Sequence, residues 1–408
     1  VGAKRRDSPA ARHRPAGGIR APDVRGARMT VRPADHLAQA MIGEPNSRFR
    51  LPTPALILDE AALDTNIHHM AERVRDQVAL RPHAKTHKCA WIAAKQIAAG
   101  AVGICCAKIG EAEALSAAGV RGILLTSPVA DPAMPKRLCN VAAVDTGFVC
   151  VVDHRDPVGA LSAEACRRGI RVNVLIDVDV GLGRTGVSGP EQAVALAEHV
   201  QRCEGLVFAG VQGYGGHWQH IAGFQKRCDA VRIGMERLSP VVDAIRTSGY
   251  PVGIITGGGT GTVAADLDLG VLNELQPGSY VFMDVQYSDA LGDDDDGAFD
   301  TSLWVSSQVV SVNADAIVTV DAGLKAFATD GPMPRPAGAR FGASTYMFFG
   351  DEHGALTRPA GSPVSLGERV EFVAPHCDPT VDRYDAYHVV RGDRLMGIVP
   401  IEAARASR

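Results

Sequence analysis

The stretch Val78-Ala79-Leu80-Arg81-Pro82-His83-Ala84-Lys85-Thr86-His87-Lys88 turns from apolar to basic within a few residues. Its first part reads as a buried strand, and its second part places a lysine at the strand's end. Side chains along a strand alternate between faces, so Arg81, His83, Lys85 and His87 are expected to share one. Cations and imidazoles crowded on a single face make little sense in a dry core. They suit an anionic cofactor at the mouth of a barrel, where Lys85 loses its proton and becomes a nucleophile. A solvated edge strand accounts for the same residues equally well.

Working outward, apolar runs alternate with helix-like segments from about residue 54 to 285. Ala55-Leu56-Ile57-Leu58 precedes a helical stripe of Leu63, Ile67, Met70 and Val74. The runs 102–106, 122–125, 148–152, 172–176, 206–210 and 252–255 are apolar but for Asn173, as in strands covered on both faces of a parallel sheet. About eight such units fit a closed (β/α)8 barrel, although an open doubly wound sheet shows the same pattern. Past Asp293-Asp294-Asp295-Asp296, read as a solvated loop rather than a metal site, the texture changes. The stretches 303–312, 316–320, 369–373 and 387–390 read as strands without intervening helices. The expected architecture is a (β/α)8 barrel over 54–287 and a second, mostly β domain over 288–408 that includes 47–53. Residues 1–46, rich in Arg, Ala and Pro, are expected to form a disordered extension and lack the apolar centre of a secretory signal.

The chain has 408 residues, 46% hydrophobic and 22% charged, with a net charge of −4, an ordinary globular composition. That balance gives no reason to expect nucleic acid as a partner, and no apolar run is long enough for a membrane span. Nine cysteines without paired spacing point to reduced thiols and a cytoplasmic setting.

Two further constellations carry chemistry. Thr256-Gly257-Gly258-Gly259-Thr260-Gly261 follows a strand and precedes a helix-like 263–267, so its N–H groups could close around a phosphate, with Ser279 and Tyr280 adding hydroxyls. No lysine follows the glycines, so this is not a P-loop, and a tight barrel turn remains the rival explanation. His376 and Asp378 lie at i and i+2, which on an extended segment points both to one side and Cys377 away. An imidazole and a carboxylate without a thiolate suit Mg²⁺ or Mn²⁺; two surface residues at a turn are the alternative.

The segment 80–88 resembles the pyridoxal-phosphate lysine motif of the D-threonine aldolase and D-serine dehydratase family, which has the alanine-racemase-type fold. Further segments resemble the family in the same order: 103–108, 179–186, 256–261, 274–280, 321–325, 351–354 and 376–380, so that the likeness runs from about Thr53 to the C-terminus. The resemblance implies that Lys85 carries pyridoxal 5'-phosphate, with Arg184 near its phenolate oxygen and Tyr214 in contact, though packing alone would explain a tyrosine at a strand end. It implies phosphate binding by Thr256, Gly257, Gly258, Gly259, Ser279 and Tyr280. It further implies a divalent metal (Mn²⁺ or Mg²⁺) on His376 and Asp378, Asp351 orienting metal-bound water, and His220 as general base. His-x-Asp is the aldolase form of the metal pair, and His-x-Cys that of the eukaryotic D-serine dehydratases. His217 and Trp218 stand where smaller residues are expected, which bears on the shape of the substrate pocket. The implied activity is retro-aldol cleavage of β-hydroxy-D-amino acids, D-threonine first. A D-serine or 3-hydroxyaspartate dehydratase is the rival, and a non-catalytic pyridoxal-phosphate carrier a reading of another class. The partner is then a small D-amino acid, with room for a homodimer.

Overall fold

The computed structural model describes residues 33–292, 299–361 and 363–407. The aspartate run 293–296 and residues 1–32 of the expected extension lie outside the described residues. The strands run β1 (Ala55–Asp59), β2 (Ala79–Leu80), β3 (Ile104–Cys106), β4 (Ile123–Leu125), β5 (Val149–Val152), β6 (Val172–Asp177), β7 (Leu206–Gly213), β8 (Ile254–Gly257) and β9 (Glu274–Leu275). They continue with β10 (Leu303–Ser311), β11 (Ile317–Val320), β12 (Arg335–Pro336), β13 (Tyr346–Phe348), β14 (Gly354–Thr357), β15 (Arg369–Val373), β16 (Ala386–Arg391) and β17 (Arg394–Pro400).

Strands β2 to β9 form one parallel sheet in the order β2-β9-β8-β7-β6-β5-β4-β3. Its two ends meet where His83 bridges to Cys105, the Ala84 N–H donating to Cys105 O and the Cys105 N–H to Pro82 O, both at 2.8 Å. The sheet therefore closes into a barrel and is not an open doubly wound sheet. Cys105, Leu124, Val149, Val151 and Leu175 fill its inside, while Cys106 faces the outer layer, so the adjacent cysteines divide between two cores. None of the nine cysteines is in a disulfide.

The helices cover the barrel through stripes set by the 3.6-residue period. Helix Glu60–Val74 buries Leu63, Ile67, Met70 and Val74, the stripe visible in the sequence, and Asp59 caps it by accepting from the Ala61 and Ala62 N–H groups. Each such fully buried aliphatic side chain contributes about 1.5–3 kcal/mol relative to exposure. Helix Pro190–Arg202 does the same with Ala193, Leu196, Ala197 and Val200, its proline placed in the first turn where no N–H is needed.

β1, expected as the first barrel strand, belongs instead to the second sheet, and β9 takes its place in the barrel. The second sheet runs β13-β14-β11-β10-β1-β16-β17, with β15 on β10 and β12 on β15. β1 pairs antiparallel with β10 and parallel with β16. Ala55 and Ile57 enter a small cluster with Ala38, Leu51 and Ile398, whereas Leu56 and Leu58 enter the main core. A strand buried on both faces shows the same unbroken apolar run in either sheet.

Residues 33–46 of the expected extension are folded. Helix Pro33–Gln39 presents buried Ala38 to that cluster, and the Gly43 N–H donates to Leu395 O at 2.8 Å. The second sheet also carries short helices, of which Cys377–Val381 matters most for the site. Among the described residues, no helix is long and apolar enough to cross a membrane.

Candidate active site

β2 ends at Leu80, and residues 84–87 turn, so the four basic side chains do not share a face as the sequence suggested. Arg81 is buried and clasps Glu274 with two parallel bonds, Nε to Oε1 at 3.0 Å and Nη2 to Oε2 at 2.9 Å. His87 is fully buried, its Nδ1 accepting from the Cys89 N–H, and burial pushes its pKa down to about 3. Both are structural. His83 reaches the Thr126 hydroxyl with Nε2 at 3.1 Å, and burial and the Lys85 charge hold it far below the usual imidazole range.

Lys85 alone of these reaches open space. Its Nζ lies 3.5 Å from Asp378 Oδ2 and 6.0 Å from the Tyr214 ring centre. Tyr214 and, after it, Asp378 favour the ammonium form and raise Lys85 above an ordinary lysine despite burial. Arg184 flanks the same ring, its Cζ 5.6 Å from the ring centre. The loop that carries Arg184 is pinned by Asp179, whose Oδ1 accepts from the Gly181 and Gly183 N–H groups at 2.9 Å. Asp177, Asp179, Arg184, Thr185 and Tyr214 line a cleft there. A terminal amine and a guanidinium gathered around one aromatic ring fit a planar, anionic, lysine-linked group.

His376 and Asp378 come together, but not on an extended segment. His376 is extended (φ −146°, ψ 124°) and caps helix Cys377–Val381, which places Asp378 in the first turn. The His376 Nδ1 lies 2.9 Å from Asp330 Oδ2, an orientation that leaves Nε2 free as a ligand. Asp378 Oδ1 is buried without a hydrogen-bond partner. Burial opposes ionisation of Asp378, yet the charges of Lys85 and His376 hold its pKa below the ordinary value. Cys377 points away and donates its thiol to Asp284 Oδ2 at 2.9 Å. Among the described residues no group of three or more His, Cys, Asp and Glu is arranged to hold a metal. The pair with its orphaned oxygen nevertheless fits a cation that takes its remaining ligands from water and substrate.

His220 packs its ring edge-on against Tyr287, with ring centres 4.5 Å apart, and its buried Nδ1 has no partner. Burial, then the charges of His376 and Lys85, lower its pKa to about 4, so the imidazole is neutral at physiological pH.

Other expected site residues are placed differently. Gly257 ends β8, and buried Thr256 accepts from Gln276 Nε2 at 3.0 Å. Gly258 has φ +70°, and a Cβ at Gly259 would stand 2.5 Å from the Gln219 side chain, so the turn and its packing already demand glycine. The Gly259 and Gly261 N–H groups are engaged by Thr262 Oγ1 and Gln219 Oε1, each at 3.0 Å, and do not face a ligand. Ser279 is buried beside the Tyr287 hydroxyl, whose pKa burial pushes well above the usual tyrosine range. Tyr280 turns away altogether: its hydroxyl accepts from Gln96 Nε2 at 2.9 Å and its ring packs near Phe299. Asp351 is exposed on the turn between β13 and β14, its backbone oxygen accepting from the Lys325 N–H, and no contact among the described residues joins it to Lys85 or the metal pair. Trp218 is core, filling space that a Cβ at Gly234 would occupy, while His217 is exposed.

Asp330, Tyr287 and Asp284 were missed in the sequence. Only Asp284 left a local sign, an aspartate capping a short helix through the Tyr287 N–H.

A closed parallel barrel with a lysine at a strand end, joined to a mostly β sheet that supplies the facing carboxylate, defines the alanine-racemase type of fold. Residues 58–286 match the family described as alanine racemase, N-terminal domain, and residues 302–390 match the putative serine dehydratase domain. A D-threonine aldolase of Arthrobacter sp is 39% identical over 90% of this chain and 96% of its own length. A 3-hydroxy-D-aspartate aldolase of Paracoccus denitrificans (strain Pd 1222) is 33% identical over 86% of this chain and 92% of its own. The crystal structure of D-threonine aldolase from Filomicrobium marinum superposes with a TM-score of 0.85 at 34% identity, covering 88% of this chain and 98% of that one. The chain belongs to the D-threonine aldolase and D-serine dehydratase family of alanine-racemase-type proteins, and it is a lyase. Membership implies pyridoxal phosphate.

Proposed function

We propose that the protein cleaves β-hydroxy-D-amino acids, D-threonine first, to glycine and an aldehyde, with a divalent cation held by His376 and Asp378. One observation carries this reading. Lys85 Nζ lies 3.5 Å from Asp378, whose other oxygen is buried and unpartnered, so lysine and carboxylate face one reaction space. Pyridoxal phosphate, bound through Lys85, supplies the sink for the electrons of the broken bond. A cation at the pair supplies a Lewis acid for the β-hydroxyl. Cys377 is turned to Asp284, so the donors are one nitrogen and one carboxylate oxygen, which favours Mn²⁺ or Mg²⁺.

Arg184 and Tyr214 orient the cofactor beside Lys85, and the turn 256–261 with Ser279 closes the far side. Neutral His220 accepts the β-hydroxyl proton as Cα–Cβ breaks. A proton returned to Cα completes glycine, so D-threonine gives glycine and acetaldehyde with no redox change. We assign Asp351 no step, since its side chain stands apart. The exposed Met347 and Phe349 beside it, with Leu324 nearby, support a homodimer, which sedimentation would test. Nine cysteines with no disulfide among them favour a reducing compartment, the cytoplasm.

Incubation with D-threonine tests the reaction. Glycine and acetaldehyde are expected, with L-threonine inert. Formation of 2-oxobutyrate and ammonia without glycine would instead establish the dehydratase, and binding of the cofactor without any turnover the carrier.

A further inference from the structure

We infer that Asp284, which belongs to neither the cofactor nor the metal residues, is the positioning residue that fixes His376 and Asp378 relative to His220. Its carboxylate is fully buried and spans two helix starts. Oδ1 accepts from the Tyr287 N–H at 2.8 Å, capping helix Val285–Leu291. Oδ2 accepts from the Cys377 N–H at 2.8 Å and from the Cys377 thiol at 2.9 Å, at the start of the helix that bears Asp378. Tyr287 supports the His220 ring, and Cys377 stands between His376 and Asp378, so one side chain ties the base to the pair. The backbone reinforces the tie: the Val285 and Gln286 N–H groups donate to Ala374 O and Pro375 O at 3.0 and 3.2 Å. All three donors, two N–H groups and a thiol, converge on this one carboxylate, although burial raises its pKa. Nothing here touches substrate, so Asp284 acts through the residues that do.

The inference rests on the proposed metal site, and the test separates the two. In the cofactor-loaded protein, Asp284→Ser keeps an oxygen for the Tyr287 N–H but is too short to reach Cys377. Asp284→Asn is isosteric and carries the test if the serine variant does not fold. In either variant Mn²⁺ should bind at least about tenfold more weakly, as when a ligand loses its outer support. Hydrogen exchange at the Cys377 amide should accelerate, while cofactor absorbance and affinity stay as in wild type. Wild-type Mn²⁺ affinity and wild-type exchange in the variant would overturn the inference and leave the proposed function standing. Mn²⁺ binding that depends on Asp284 in a protein that cleaves no β-hydroxy-D-amino acid would refute the proposed function and leave Asp284's role intact.

Discussion

Replacing Glu274 by alanine should cost the protein stability without costing it the cofactor site. Arg81 and Glu274 lie inside the barrel, their side chains only 8% and 5% exposed, and they meet through two parallel hydrogen bonds. Burial works against the guanidinium, but the carboxylate outweighs it and raises the Arg81 pKa, so the charge persists at every accessible pH. With Glu274 shortened, that charge keeps the Gly122 carbonyl as its remaining partner. Breaking a buried pair in this way costs about 3–5 kcal/mol, because the surviving charge is left uncompensated in the interior. An exposed pair would cost almost nothing. The assay is urea unfolding of the cofactor-loaded protein, with cofactor absorbance followed in the folded baseline. A loss below about 1 kcal/mol would show that the pair is not the buried clasp described. A variant as stable as wild type but unable to hold cofactor would return Arg81 to the cofactor site.

Other expectations concern the reaction space. His220 accepts a proton only when neutral, so kcat/KM should fall as pH drops through about 4. An acid limb near the ordinary histidine value of about 6.5 would mean that burial and neighbouring charges do not act on it as described. His220→Ala should lower kcat by about 10² to 10⁴. Asp330→Ala, which frees His376 Nδ1, should weaken Mn²⁺ binding by about 10- to 100-fold in a calorimetric titration, with cofactor absorbance unchanged.

Lys85 and the His376–Asp378 pair stand out in the sequence because their residue types carry chemistry whatever the local geometry, and the structure sets Lys85 Nζ 3.5 Å from Asp378. The helical stripe of Leu63, Ile67, Met70 and Val74 was legible because one buried face leaves a period. β1 misled because it is buried on both faces, and an unbroken apolar run does not say which sheet it joins. Arg81 and His87 misled because alternation holds only while the strand lasts, and the strand gives way to a turn before Lys85. Tyr280 followed a likeness of sequence, whereas the bond to Gln96 that turns its ring inward is a contact between distant segments. Asp330 lies 46 residues from His376 in sequence, so nothing local could reveal that it orients the imidazole. In the glycine run, Gln219 satisfies an N–H that the sequence had offered to phosphate.

Everything proposed for this enzyme depends on Lys85 being the residue to which the cofactor is joined. Borohydride reduction of the cofactor-loaded protein, followed by peptide mass mapping, tests that directly. The expected result is a pyridoxyl adduct on Lys85 and no adduct in Lys85→Ala. An adduct on another lysine, or one that persists in Lys85→Ala, would contradict it.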